Sequence, residues 1–400
     1  MTNRSELLSL LTEACELEHA LSCTYLFAAF TLKQDASEGE LSWRELQRAR
    51  RWAGQVYFIA SQEMLHMAQV WNLLTAIGGT PYYARPAFPQ SPKYFALNLP
   101  LRLLPFGAEA LDLFVAFESP VTLVDPRPAV GSAAEPGQYR TVGELYGLIR
   151  AAFAAVSEPE IFIGPDALQA DEQLADFPDL LPVHDIDSAL AAIDCITEQG
   201  EGTSTAREDC HFGMFTKIRS EFHSLGGDAH RVVRDCARDP VTRQRTSSRE
   251  LAGRVLTDPY TRAVADLFDS LYGLMLRLLA FGFGSPLASN ALRREMCRTA
   301  IELMPTALQP LGEALALLPA SPRDRRASGP TFGMARHIPL PVQPELAVRL
   351  VNERFHELAS TLTPLAHHER APRQLQSAAR ALNELARLFA VTYQCLGRNS

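Results

Sequence analysis

Blocks of apolar residues recurring every three to four positions, separated by proline- and glycine-rich stretches, run along most of the chain. The first opens with Asn3 and Glu6, spaced as a helix start, and continues to about Leu32. Polar residues from Lys33 to Leu41, including Gly39, end it. Ser42-Trp43-Arg44-Glu45 is a capping box that opens a second helix, which runs to Gly78-Gly79. A helix of about 35 residues is long for a globular protein but ordinary in a helix bundle.

The pattern then loosens. Pro81 to Pro100 is too rich in proline for a continuous helix, Phe106 to Phe117 reads as one short helix and Thr141 to Val156 as another. Pro120 to Pro136 and Glu158 to Pro182 read as irregular chain. The whole of Pro81 to Val183 is taken as a long insertion, either a lid or an interface. Helical spacing resumes from Asp187 to Gln199, stops at Gly200-Glu201-Gly202, and restarts at Thr205 as far as about Leu225. Beyond an arginine-rich linker, apolar helices are predicted at Asp258–Gly282, Leu292–Leu318, Pro344–Leu365 and Arg373–Leu396. The expected architecture is all-α: a four-helix bundle in residues 1–227 interrupted by an insertion at 81–183, with a C-terminal helical extension, 228–400, packed on it.

One stretch of the second helix carries chemistry. Glu63 and His66, three residues apart, share one face with the apolar residues Ile59, Val70, Leu73 and Leu74, so that face points inward. A buried carboxylate and imidazole need partners, and a metal ion suits both. The spacing recurs at Glu208 and His211, and each of these two helices follows another helix that bears a glutamate, Glu18 or Glu198. Glu, Glu-x-x-His, Glu, Glu-x-x-His is the order that a dinuclear carboxylate bundle uses. The predicted ligands are therefore Glu18, Glu63, His66, Glu198, Glu208 and His211, with Tyr25 and Glu201 beside them.

Each residue also has a plainer reading. With ten histidines in 400 residues, about one accidental Glu-x-x-His match is expected by counting, against four observed. Glu353/His356 sits among Asn352, Arg354 and Glu357 and reads as a solvated face. Glu208 doubles as the fourth member of a Thr205 capping box, and His211 as a satisfied core histidine. A glutamate at position 198 opposes its helix dipole, a small cost that a bound cation would offset. On the first helix Glu16 and Glu18 project about 200° apart. The Glu18 stripe holds Leu11, Cys15, Ser22, Tyr25 and Ala29, small or apolar residues suited to a bundle interior, so Glu18 is taken as the ligand.

Composition narrows the function classes. Apolar residues make up 47% and charged residues 21%, as in a soluble globular protein. A net charge of −8 argues against a nucleic-acid partner. Seven scattered cysteines, Cys15, Cys23, Cys195, Cys210, Cys236, Cys297 and Cys395, show no C-x-x-C spacing and favour a reducing compartment. With no basic n-region at the start and no apolar run of membrane length near it, the expected location is cytoplasmic, without a membrane partner. Oxygen-rich ligands favour iron, with manganese as the alternative, and leave Cys195 and Cys210 as packing residues.

The segments Glu18-His-Ala-Leu-Ser-Cys-Thr-Tyr-Leu-Phe27, Glu63-Met-Leu-His-Met67, Asn72-Leu-Leu-Thr-Ala-Ile-Gly-Gly79 and Glu198-Gln-Gly-Glu-Gly202 resemble a ferritin-like domain family. It is the family that contains the iminophenylpyruvate dimer synthases of violacein-type bisindole pathways. Gly329-Pro-Thr-Phe332 and Leu340-Pro341 resemble its later segment. This chain departs in the short connection between Glu198 and Glu208. The resemblance implies a ferritin-like bundle and a metal-dependent oxidative enzyme of secondary metabolism acting on an amino-acid-derived or peptidic substrate. The expected enzyme is a dinuclear oxidase or oxygenase with two Fe ions, using O2 or peroxide, with no catalytic side chain beyond the metal ligands. A homodimer is the expected assembly. The competing classes are an iron-handling or peroxide-scavenging protein without an organic substrate, and a bundle with a vestigial site serving as a partner subunit.

Overall fold

The computed structural model describes residues 4–39, 41–91, 94–97, 99–120, 139–156, 161–202, 208–243, 254–323, 325–334 and 336–396, the last few as helix backbone only at 392, 393, 395 and 396. It divides into two compact units: residues 1–172 with 177–233, and residues 173–176 with 234–400.

The first unit is built on an antiparallel pair, α1 (Arg4–Phe30) and α2 (Trp43–Ala76). Ser42 accepts from the Glu45 amide and Glu45 accepts from the Ser42 amide at 2.7 Å, so the capping box opens α2 as the sequence predicts. Gly78 closes it with φ at 86°, a left-handed conformation that glycine adopts without steric cost. Almost every residue of α1 from Ala14 to Phe30 is buried. A helix covered on all sides sits at the centre of its unit, and α1 does. Antiparallel packing sets Ser22 level with Ala60, whose carbonyl accepts its hydroxyl at 3.3 Å.

Four shorter helices flank this pair: α3 (Ala108–Phe117), α4 (Val142–Ala154), α5 (Ile186–Gly200) and α6 (His211–His223). Helix α3 packs against α6 and α4 against α5, with Arg219–Asp112 and Arg150–Asp194 ion pairs at the two contacts. Residues 81–183, read from sequence as an insertion, thus contribute two helices of the bundle. The sequence reading expected both helices, at Phe106–Phe117 and Thr141–Val156, but not their packing in the bundle, because proline-rich chain surrounds them.

The fourth predicted helix also starts later than expected. Cys210 is its N-cap, its sulfur accepting from the Gly213 amide, and the Thr205 start lies outside the described residues.

Irregular chain between α4 and α5 is tied to α2 by polar side chains. Asn72 donates to the Ala170 and Leu181 carbonyls at 2.7 and 2.8 Å and accepts from the Ala170 amide at 3.0 Å. Gln69 exchanges a second pair of hydrogen bonds with the Leu181 backbone. Gly164 passes so close to the end of α2 that a Cβ there would lie 1.7 Å from the Thr75 carbonyl oxygen.

The second unit is helical as well: α7 (Pro259–Gly284), α8 (Asn290–Leu303), α9 (Gln309–Leu315), α10 (Pro344–Ala366) and α11 (Arg373–Leu396). The expected helix Leu292–Leu318 is broken by a wide turn at Met304–Leu308, where Pro305 lacks the amide that a regular helix needs. The Gly329–Phe332 segment is held on α7. Asp269 accepts from the Thr331 hydroxyl and the Gly333 amide, and Phe332 packs edge-on against Phe268 and Tyr272. Among the described residues no helix is long and apolar enough to cross a membrane.

Candidate metal centre

The interior of the first unit holds five buried ligand-type side chains in two groups that share one member. Glu18, Glu63 and His66 form one group, and Glu63, Glu118 and His211 the other; within each, potential ligand atoms lie no more than 4.8 Å apart. Helix α1 supplies Glu18 and α2 supplies Glu63 and His66. Glu118 caps the C-terminus of α3, and His211 is the first residue of α6. His66 Nδ1 is 3.5 Å from Glu18 and 3.6 Å from Glu63, while His211 Nδ1 is 3.0 Å from Glu63 and 3.6 Å from Glu118. The imidazoles stack with centroids 5.4 Å apart.

The two halves are built alike. Tyr146 donates to Glu18 at 2.6 Å, and Tyr25 donates to Glu118 at 2.5 Å. His66 Nε2 meets the Gln199 side-chain oxygen at 3.0 Å, and His211 Nε2 meets that of Gln62 at 3.1 Å. A glutamine oxygen only accepts, so each imidazole carries a proton on Nε2 and turns Nδ1 toward the carboxylates. Burial, reinforced by the neighbouring carboxylate charge, pushes both phenols far above their ordinary pKa and keeps them as donors.

Packing three carboxylates here is unfavourable without cations. Burial first, and then the charge of Glu63, pushes the Glu18 carboxyl up to about 8. Burial and Glu118 also oppose ionisation of Glu63, but the Glu18 hydrogen bond and the His211 charge outweigh them and hold it low. Burial disfavours charge on the imidazoles, yet the carboxylates prevail, raising His66 well above normal and His211 to about 9. Even so, Glu18 Oε2, Glu63 Oε1 and His211 Nδ1 make no hydrogen bond of good geometry and meet only one another and His66, His211 Nδ1 lying 3.0 Å from Glu63 Oε1 and His66 Nδ1 3.5 Å from Glu18 Oε2. Buried atoms of this kind, in an oxygen-and-imidazole set, fit two hard or intermediate divalent ions such as iron or manganese.

The structure brings together Glu18, Glu63, His66 and His211 of the six predicted ligands and leaves out Glu198 and Glu208. On α5 the buried face runs through Ala189, Ala192, Ile193, Ile196 and Gly200, which turns Glu198 out to solvent. Its neighbour Gln199 faces the cluster instead. Glu208 precedes the start of α6 and is exposed, so the helical spacing that would align it with His211 does not exist. Glu118, which the sequence reading did not single out, belongs to the cluster. Tyr25 lies against Glu118, and Glu201 lines the cavity beside the cluster. Glu16 is elsewhere, accepting from Tyr82 and Tyr94 at 3.2 and 2.7 Å, and Glu353 and His356 are exposed. Cys195 and Cys210 belong to neither group.

A helical bundle with a buried carboxylate–histidine cluster defines a class, and residues 11–220 match the family described as Ferritin-like; the chain belongs to that family. Two curated relatives match most of this chain. Dichlorochromopyrrolate synthase of Lentzea aerocolonigenes is 27% identical over 401 residues, covering 90% of this chain and 39% of its own. A 2-imino-3-(indol-3-yl)propanoate dimerase of Chromobacterium violaceum is 28% identical over 359 residues, covering 83% and 34%. This chain therefore spans well under half the length of either. A solved ferritin-like protein from Caulobacter vibrioides superposes with a TM-score of 0.46 at 20% identity, over 73% of this chain and 92% of that one.

Proposed function

We propose that the chain is a non-haem dinuclear metal oxidase or oxygenase of natural-product metabolism, holding two iron ions and using O2 or peroxide. Its substrate is amino-acid-derived and indole-bearing, as the names of the relatives indicate for those proteins. The observation that carries this reading is the pair of buried three-residue groups sharing Glu63, with carboxylates and imidazoles turned toward one another.

Glu18, Glu63 and His66 would hold one ion, and Glu63, Glu118 and His211 the other. The two ions would supply the redox capacity that the protein's own side chains lack. Tyr146 and Tyr25 each occupy one oxygen of a terminal carboxylate, fixing its orientation and leaving the other oxygen for metal. Gln199 and Gln62 fix the imidazole tautomers. Helix packing keeps bulk water out: no ligand side chain is more than 4% exposed. The cavity beside the cluster, about 10 Å3, has room for a water-sized oxidant but not for an indole ring.

Elemental analysis tests the centre. The chain purified with iron should hold about two ions, and Glu63→Ala should remove most of both. Full occupancy after that change would overturn the assignment. For the substrate class, an imino acid generated from tryptophan should be consumed by the iron-loaded chain and left intact by the Glu63→Ala variant. Equal consumption by both would remove this class.

A further inference from the structure

Helix α5 ends at Gly200, and the chain turns through Glu201 into Gly202, whose φ is 79°. The turn lays the Glu201 side chain over α4 at Gly143, so closely that a Cβ on Gly143 would lie 1.8 Å from Glu201 Oε1. The same oxygen is 3.5 Å from the Thr141 hydroxyl. Glu201 thus lines the cavity whose other walls include Glu18, Glu63, Glu118 and His66. It belongs to neither ligand group and is half-buried where they are buried.

Four carboxylates and one imidazole therefore face a space walled partly by Leu21 and Ile196. On this lining the carboxylates outnumber the imidazole, and between apolar walls such an excess attracts cations. A divalent cation in this cavity meets the half-buried Glu201 carboxylate as well as the buried carboxylates of the cluster. Two of the buried oxygens, Glu18 Oε2 and Glu63 Oε1, make no hydrogen bond of good geometry and meet the imidazoles of His66 and His211. We propose that Glu201 is a cation relay, the residue through which divalent ions reach the buried centre. The inference rests on the metal-centre reading and adds a loading route to it.

The test uses the full chain, metal-free, mixed with Co2+ and followed by visible absorbance for rate and at equilibrium for stoichiometry. Wild type should bind about two ions. Glu201→Gln should bind the same number about 3- to 10-fold more slowly at low ionic strength, with the difference closing as salt rises toward about 1 M. Glu201→Ala should load slowly as well, although its mouth is wider. Faster loading by Glu201→Ala would mean that the side chain is only a plug, and equal rates would mean that it plays no part; either overturns the relay. Reduced stoichiometry in Glu201→Gln would make the residue a ligand and overturn it too. If wild type itself binds no metal, the centre fails and the relay with it. Wild-type binding with unaltered variant kinetics removes the relay alone.

Discussion

Glu118 and Glu198 lie at or near the C-terminal ends of two short helices, and only Glu118 faces the cluster. Glu118→Ala should lower bound iron from two to about one per chain, while Glu198→Ala should leave it at two. Elemental analysis of the two variants side by side decides between them, and loss of metal in Glu198→Ala would reject the observed set. The contrast also marks how far the sequence could be read. Glu63 and His66 stand out because their helix is apolar around them, and Glu18 because its stripe is small and apolar. Glu118 has no histidine three residues on and sits in a proline-rich stretch, so no local period points to it. The available signal was its place after the apolar run Ala108–Phe117, where a carboxylate opposes the helix dipole. That is the same consideration that favoured Glu198, and one residue of helical rotation separates Glu198 from the inward-facing Gln199.

Among the elements, α2 is both wall and anchor. Gln69, Asn72 and Thr75 are polar positions at three-residue spacing on a buried face; Gln69 and Asn72 hold the backbone at Ala170 and Leu181, and Thr75 accepts from the Gln169 side chain. The polar stripe was visible in the sequence, but its partner was not, because irregular backbone carries no period to match. Asn72→Ala would leave the Ala170 amide and carbonyl buried without their side-chain partner. It should cost about 3 kcal/mol in denaturant unfolding, while Asn72→Asp, which keeps only the acceptor, should also destabilise. A loss below about 0.5 kcal/mol would mean that water replaces the clamp. In the second unit Asp258 caps α7 through the Thr261 amide and pairs with both terminal nitrogens of Arg370, at 2.9 and 2.6 Å. The Arg370 hydrogen bond, more than the opposing burial, lowers its pKa to about 2. A depressed carboxyl stabilises the fold above its unfolded pKa, and that contribution fades as pH falls from about 4 through 2. Asp258→Asn should cost about 1–2 kcal/mol at neutral pH, a modest figure because Arg370 reaches solvent. It should also flatten the acid limb of the stability profile. An unchanged limb would count against the pair.

For the molecule as a whole, the decisive question is whether iron is retained as a cofactor or accumulated as cargo. Each of the two groups offers three ligands, and Glu63 belongs to both, so a third ion has no comparable set within the cluster. The adjoining cavity of about 10 Å3 is too small for a mineral nucleus. Its lining oxygens come from helices that are packed on one another, so the space does not grow without separating α1, α4 and α5. Ferrous protein prepared without oxygen and then exposed to O2 should therefore oxidise about two irons per chain and stop. Iron supplied beyond that should turn over no faster than in buffer. Stopped-flow absorbance with increasing iron measures this directly. A break near two irons per chain supports an enzyme centre that awaits its substrate. Oxidation that continues in proportion to added iron, with mineral growth, would make the chain an iron handler and remove the oxidase reading.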